Sequence, residues 1–571
     1  MSTLATRPVT AAQPTPSAAA TPDRHWGIIL FASLSGLYFT VGYLLVMRYN
    51  LFDLDGVSRV ANAGYVTESR DPHLSAIGFV WNPLPSLVEI PILLLDRWWP
   101  ALRTHGLAGV IQSALFMAAA ALMMRGIALD RKVSLGWRRI AVAAFALQPM
   151  IVVYGASGMS EAAETFCMLW CVRYLMRWCD ARYPVDLALA GLALGVGFTA
   201  RYEVAPAAVG VAVFVAVVTI KSADAGLRHS TVLANVAIAL FPIALSTTLW
   251  ALTGWIINHE LFATFSSQYG NESQVKSATQ RGGPLALAAS SDWVVIAARM
   301  LGMQPFVGFA AAGAVIHAAL MRKPTAMAPV VTFGSILAFA AWGQYSSTTF
   351  GWFRFYLLAI PLVICVALAC SPPTEAQRRP LRFEKISGIF AAALLCTSIL
   401  IGFPVTVLAS LNQRIGNQQL QFGFNSLLRP QEFSVQDLWF RRLMINDRVL
   451  AERLDRQRLA DGAVLMDTFN TWGVWLSSSN PKQFVITSDY DFKAALNRPW
   501  ESGVRYLVVS NPAVSSADAI NIRYPTLWND GAGIARLIYS VINSGTDEAQ
   551  FRLFEVTKPP PNILSPPPAG R

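Results

Sequence analysis

The chain has 571 residues, 54% of them hydrophobic and 14% charged, with a mean hydropathy of +0.43; a water-soluble protein of this size has no interior large enough to hide that much apolar surface. Apolar runs of roughly 17 to 25 residues recur up to position 410, long enough to cross a bilayer as helices and too long for barrel strands of about 10 alternating residues. The net charge of +11 then reflects basic loops at a membrane surface, and no nucleic-acid partner is expected.

Residues 1–25 are rich in Ala, Pro, Thr and Ser and read as a disordered tail. The first apolar segment, 26–47, is too long for a signal-peptide core and has no small-residue cleavage site after it, so it reads as a retained span. A polar stretch follows, "RYNLFDLDGVSRVANAGYVTESRDPH", carrying Asp53, Asp55, Arg59, Arg70 and His73. The next apolar segment, "AIGFVWNPLPSLVEIPILLLDRWWP", is interrupted by Pro83, Pro85 and Pro91. Proline removes backbone donors, so the segment is expected to be interfacial or re-entrant. Further spans are expected at 105–125, 139–154, 162–178, 184–200, 204–220, 231–257, 292–320, 327–343, 351–370 and 386–409, which makes about eleven.

Five basic loops, at 125–139, 177–184, 221–230, 321–325 and 371–385, fall on one side if 76–100 does not span. The positive-inside rule makes that side cytoplasmic. The reading is a multi-pass protein of the plasma (inner) membrane with a cytoplasmic N-terminus. Its transmembrane domain covers 26–411, with a first outer loop at 48–104 and a second at 258–290. The same parity puts Asp53, Asp55, Arg59, Glu161, Arg201, Glu203 and Arg354 on the outer side. Charges at span ends are costly in hydrocarbon and tend to line polar cavities. The loop 258–290, with Gly270, Gly282 and Gly283, is long enough to act as a lid. Six cysteines (167, 171, 179, 365, 370 and 396) lie in or beside spans without zinc-like spacing and read as buried thiols.

From about position 412 charges are spread throughout. An amphipathic helix is expected in "SVQDLWFRRLMINDRVLAERLDRQRLADG", strands in "AVLMDT", "QFVITS", "RYLVVSNP" and "FRLFEV", and helices in "DYDFKAAL" and "AGIARLIYSVI". This describes a small extracytoplasmic α/β domain over 412–557, followed by a Pro-rich tail at 558–571.

Acids and arginines on an outer face fit one reaction well. Sugars activated on nucleotides stay in the cytosol, so a donor outside arrives on a lipid phosphate. Arginine forks pair phosphate oxygens. One carboxylate takes the acceptor's hydroxyl proton as it attacks the anomeric carbon. The phosphate leaves without a general acid, unlike glycoside hydrolysis.

Five stretches resemble polytopic GT-C glycosyltransferases, especially the protein O-mannosyltransferase and lipid A aminoarabinose transferase branch. "FDLDGVSRVANA" is similar to the family's acidic motif after the first span, with Asp55 the best match and Gly56 where a second acid is usual. "WNPLPSLVEIPIL" is similar to its Pro-Pro-Leu segment, with Asn82 in the place of a basic residue. "YGASGMSEAAETF" places Glu161 at a further carboxylate, "FTARYEVAP" places Arg201 near a phosphate-binding cation, and "FGWFRFYLLAIPL" carries Arg354 and Tyr356. The resemblance implies inverting transfer of a sugar from a polyprenyl-phosphate donor to an envelope glycan, glycolipid or protein. Asp55 or Asp53 would be the base, Glu161 an orienting acid, and Arg201, Arg354 and Arg59 the phosphate ligands. His73, Asn82, Glu203 and Tyr356 would be further substrate contacts. Asp53, Asp55 and Glu161 would suit magnesium or calcium rather than zinc, but the resembling branches imply no essential metal. The rival reading is a transporter or flippase of the lipid carrier.

Overall fold

A computed structural model describes residues 21–557, apart from 268, 271, 277–290, 374–381, 417, 435–437, 514–516 and 544–547. The tails expected at 1–25 (up to residue 20) and 558–571, and Gly282 and Gly283 of the expected lid, lie outside the described residues.

Helices dominate. The first, α1 (Thr21–Tyr49), has 29 residues, or ~44 Å at 1.5 Å per residue, more than the ~30 Å hydrocarbon thickness. Seven described helices are long and apolar enough to cross a membrane, nine if each of two bent pairs is one span. The count of eleven expected from sequence would also need Glu161–Ala181, which carries five charged residues, and Pro184–Ala200, which is one helix of 17 residues.

The bent pairs correct two expected spans. Leu135–Ala146 and Pro149–Gly155 meet at 62°, and Trp293–Met303 and Val307–Met321 at 76°. Each break holds a Gln-Pro dipeptide, Gln148-Pro149 and Gln304-Pro305. A residue before proline is pushed out of the helical region, and Gln148 (ψ 132°) and Gln304 (ψ 101°) are both extended. Gln148 Oε1 accepts from the N–H groups of Met150 and Ile151, and its Nε2 donates to Thr406 Oγ1 at 3.0 Å. Gln304 Nε2 donates to Ser398 Oγ at 3.3 Å. Ser398 opens a π-helical turn (Ser398–Gly402) in the last long apolar helix, which runs from Arg382 to Leu411.

Two helices of ten residues or more lie between the first long span and the second. Helix α2 (Leu54–Glu68) is capped by Asp53, whose side chain accepts from the Asp55 N–H. Helix α3 (Leu84–Leu93) has 10 residues and so is too short to cross. Pro85 sits in its first turn, where a missing N–H costs nothing, and the helix continues through Pro91 to end two residues later.

The C-terminal region begins its packed part with the amphipathic helix Trp439–Asp455. Its sheet has five strands: β1 (Val464–Met466), β2 (Phe484–Val485), β3 (Tyr506–Ser510), β4 (Ala535–Ile542) and β5 (Ala549–Val556). Their order is β2-β1-β3-β5-β4. The first three are parallel, while β5 runs antiparallel to both β3 and β4. The expected helix in "AGIARLIYSVI" is therefore corrected to strand β4. Its Leu-Ile-Tyr-Ser-Val-Ile run suits a pleated surface, and hairpin pairing with β5 satisfies its backbone.

The largest core runs through the long helices. A second core joins Val57, Val60 and Tyr65 of α2 to Leu450, Trp475 and Phe484 of the C-terminal region.

Candidate active site

Four chain segments converge on a cluster of buried charges. The first is the N-terminal end of α2. Gly56 packs so closely that a Cβ there would lie 2.6 Å from the Ser157 carbonyl oxygen. This contact draws α2 onto the second segment, the turn 157–160, where Gly158 adopts φ +78°, a conformation that favours glycine. That turn leads into Glu161, the first residue of the Glu161–Ala181 helix. The third segment is the extended Arg201, after Pro184–Ala200, and the turn that follows it. The fourth is the short 3-10 turn Phe353–Tyr356.

Arg354, 6% exposed, sits at the centre. Its Nη2 lies 2.7 Å from Asp55 Oδ2, its Nε 3.1 Å from Glu161 Oε1 and its Nη1 3.8 Å from Asp53 Oδ2. Glu161 Oε1 also takes Arg201 Nη1 at 2.8 Å. Arg201 further meets Glu164 at 3.2 Å and Glu203 at 2.5 Å. The Phe355 ring lies 5.2 Å from the Arg201 guanidinium and 5.6 Å from that of Arg354. Arg59 is set further in. It reaches Ser160 Oγ at 3.3 Å, the hydroxyl that Arg201 also donates to, and its guanidinium covers Trp81 at 4.3 Å.

The acids differ in exposure. The Asp55 side chain is 35% exposed, against 12% for Asp53 and 2% for Glu161. Burial pushes the Asp53 carboxyl up to about 7. Arg354 opposes this, while Asp55 and Glu161 add to it. Beside the cluster lies a small recess. Glu164, Arg201 and Glu203 line it together with Ile336, Phe339 and Ala340.

The structure thus brings together Asp53, Asp55, Glu161, Arg201, Glu203 and Arg354, with Arg59 one hydroxyl away. The other residues picked from sequence lie elsewhere. Asn82 donates to the Phe198 carbonyl and so ties α3 to the helix leading to Arg201. Tyr356 is fully buried, and its hydroxyl donates to Gln344 Oε1 at 2.9 Å. His73 stacks on Tyr490 of the C-terminal region at 4.3 Å, beside the ion pairs of Arg70 with Asp489 and Asp491. Sequence reasoning missed Glu164. Its signal is spacing, since three residues after Glu161 puts it on the same helix face. Among the described residues, no group of three or more His, Cys, Asp or Glu side chains is arranged to hold a metal ion.

No protein-family model matches the chain, and no curated protein matches it in sequence. Solved structures are similar to it in shape. ArnT from Cupriavidus metallidurans in the apo state is 14% identical, with a TM-score of 0.48, covering 94% of this chain and 98% of that one. The oligosaccharyltransferase AglB from Archaeoglobus fulgidus, in complex with an inhibitory peptide and a dolichol-phosphate, is 12% identical, with a TM-score of 0.41 and coverage of 93% and 74%. An A. fulgidus oligosaccharyltransferase tethered to an acceptor peptide is 11% identical, with a TM-score of 0.42 and coverage of 92% and 74%.

Proposed function

We propose that this polytopic membrane protein is a GT-C type glycosyltransferase acting at the outer face of the plasma membrane. It moves a sugar from a polyprenyl-phosphate donor to a hydroxyl of an envelope glycan, glycolipid or protein. The observation that carries this reading is the Arg354 hub, which joins the acids of α2 to Glu161 and leaves Asp55 the most exposed carboxylate among its partners.

In this reading Asp55 is the base. It takes the acceptor's proton as the acceptor oxygen bonds to the anomeric carbon. The bond from that carbon to the phosphate oxygen breaks on the opposite face, so the configuration inverts, and polyprenyl phosphate leaves with the electron pair. Asp53 is a poorer base because its side chain is committed to the α2 N-terminus, accepting from the Asp55 N–H at 3.1 Å. Arg354 and Arg201 hold the phosphate, and Arg59 supports Ser160 behind them. The recess beside them has both charged and apolar lining, the mix that a phosphate head on a lipid tail would meet. No metal is required in this scheme.

The rival reading, transport of the lipid carrier, draws on the two broken helices. The freed N–H groups at these breaks donate to the glutamine side chains, Met150 and Ile151 to Gln148 Oε1 and Phe306 to Gln304 Oε1, and the glutamine Nε2 groups donate in turn to Thr406 and Ser398 of the last apolar helix.

The test is single-turnover transfer from a labelled polyprenyl-phosphate sugar by purified protein. Asp55→Asn is expected to lower the rate by at least about 10²-fold, in the range of a lost general base, with donor binding kept. Undiminished turnover with Asp53 and Asp55 both replaced would sink the assignment.

A further inference from the structure

Among the contacts that join the C-terminal region to the membrane part of the protein, those of the helix Thr468–Ser477 reach α2 directly. At its start, the capping residue Asp467 accepts from the Tyr269 hydroxyl at 3.0 Å, and the Tyr269 ring lies 4.9 Å from Phe469. At its end, the carbonyls of Leu476 and Ser478 accept from Arg103 Nη1 at 2.8 and 3.0 Å. Terminal helix carbonyls have no partner within the helix and attract a cation. Arg103 Nε lies 3.2 Å from both Glu68 and Asp96, so its charge is balanced on the other side. Between the two ends, Trp475 is fully buried and meets Tyr65 edge-on at 4.7 Å. A Cβ at Gly64 would lie 2.7 Å from the indole ring. Gly64, Tyr65 and Glu68 all belong to α2, and the opposite end of α2 carries Asp55 and Arg59.

A lone helix of 15 residues is marginal, and packing supplies most of its stability. α2 is pinned at its first turn by the Gly56 contact and at its last turns by Trp475 and Arg103. We infer that the Thr468–Ser477 helix is a strut that sets the position of α2, with Trp475 and Arg103 as positioning residues for Asp55. The link to Asp55 rests on the transfer reading, while the strut itself is measurable without it.

The experiment uses the full chain in lipid nanodiscs, with Trp475→Ala, Trp475→Phe and Arg103→Met. Amide hydrogen exchange over residues 57–68 and steady-state transfer are measured together. Trp475→Ala and Arg103→Met are expected to speed exchange in α2 by at least about ten-fold, with the 107–130 and 204–222 helices unchanged. They should lower kcat by at least about ten-fold through misplacement of the base, while donor KM stays within about two-fold. Trp475→Phe, which keeps an aromatic edge on Tyr65, should restore both. Unchanged exchange in α2 overturns the strut, as does exchange that rises everywhere in Arg103→Met. Faster α2 exchange with kcat unchanged overturns the positioning role. Asp55→Asn, run alongside, separates these outcomes: full activity there fails Asp55 as the base, and with it the positioning role, and leaves the exchange result to judge the strut.

Discussion

Asp53 and Asp55 stand two residues apart and do different work. Asp53 closes the first turn of α2, a role whose loss to alanine costs about 1 kcal/mol, and it is nearly out of water. Its carboxyl, lifted by burial to about 7 from an ordinary value near 3.8, binds a proton more tightly in the folded chain than in the unfolded one. Its contribution to stability is therefore complete below about pH 3.8 and is lost as the pH rises through about 7. Asp53→Asn keeps the cap and removes the titration. The decline in unfolding temperature across roughly pH 5 to 7 should flatten in that variant; an unaltered slope in thermal scans would refute the assignment. Gly56 explains a departure visible in the sequence. Where the resembling family has a second acid, this chain brings α2 backbone against Ser157, and no side chain fits.

Among the elements, the apolar runs were legible because twenty apolar residues in a row admit few alternatives. The two breaks were not, since a single Gln-Pro step hardly alters a hydropathy window. The dipeptide itself was the available signal, because residues before proline leave the helix. Strand β4 was misread for a related reason: Arg536 to Ile542 is too short for period to separate helix from strand, and pairing with β5 decided it. The capping role of Gln148 yields a measurable consequence. Gln148→Leu leaves two buried N–H groups and the Thr406 hydroxyl without this partner, at a cost of about 1–3 kcal/mol for each group stranded. Denaturation in mild detergent should show a clear loss of stability.

At the scale of the whole molecule, the candidate site was legible where its residues end or begin apolar spans. Asp53, Asp55, Glu161, Arg201 and Arg354 stand out as charges in greasy surroundings, and the fold joins them. His73 and Tyr356 looked equivalent in sequence, but their neighbours are decided by contacts hundreds of residues away or by burial beneath the site. The C-terminal strut left no mark in sequence either, because Trp475 reads as an ordinary core residue until α2 is seen beneath it.

The acids around Arg354 and Arg201 outnumber the arginines, so the resting cluster is already paired within itself. An arriving phosphate must exchange partners, and a carboxylate that gives up its cation becomes a stronger proton acceptor. Donor binding in the proposed reaction is thus coupled to proton uptake from solvent, by a fraction of a proton near neutrality where Asp53 titrates. Calorimetry in two buffers with different ionisation heats should give different apparent binding enthalpies, and the difference should shrink in Asp53→Asn. Identical heats in both buffers would exclude the exchange. In the proposed reaction, donor affinity would then rise as the pH falls, so that the self-paired cluster would tie its hold on the phosphate to the local proton concentration.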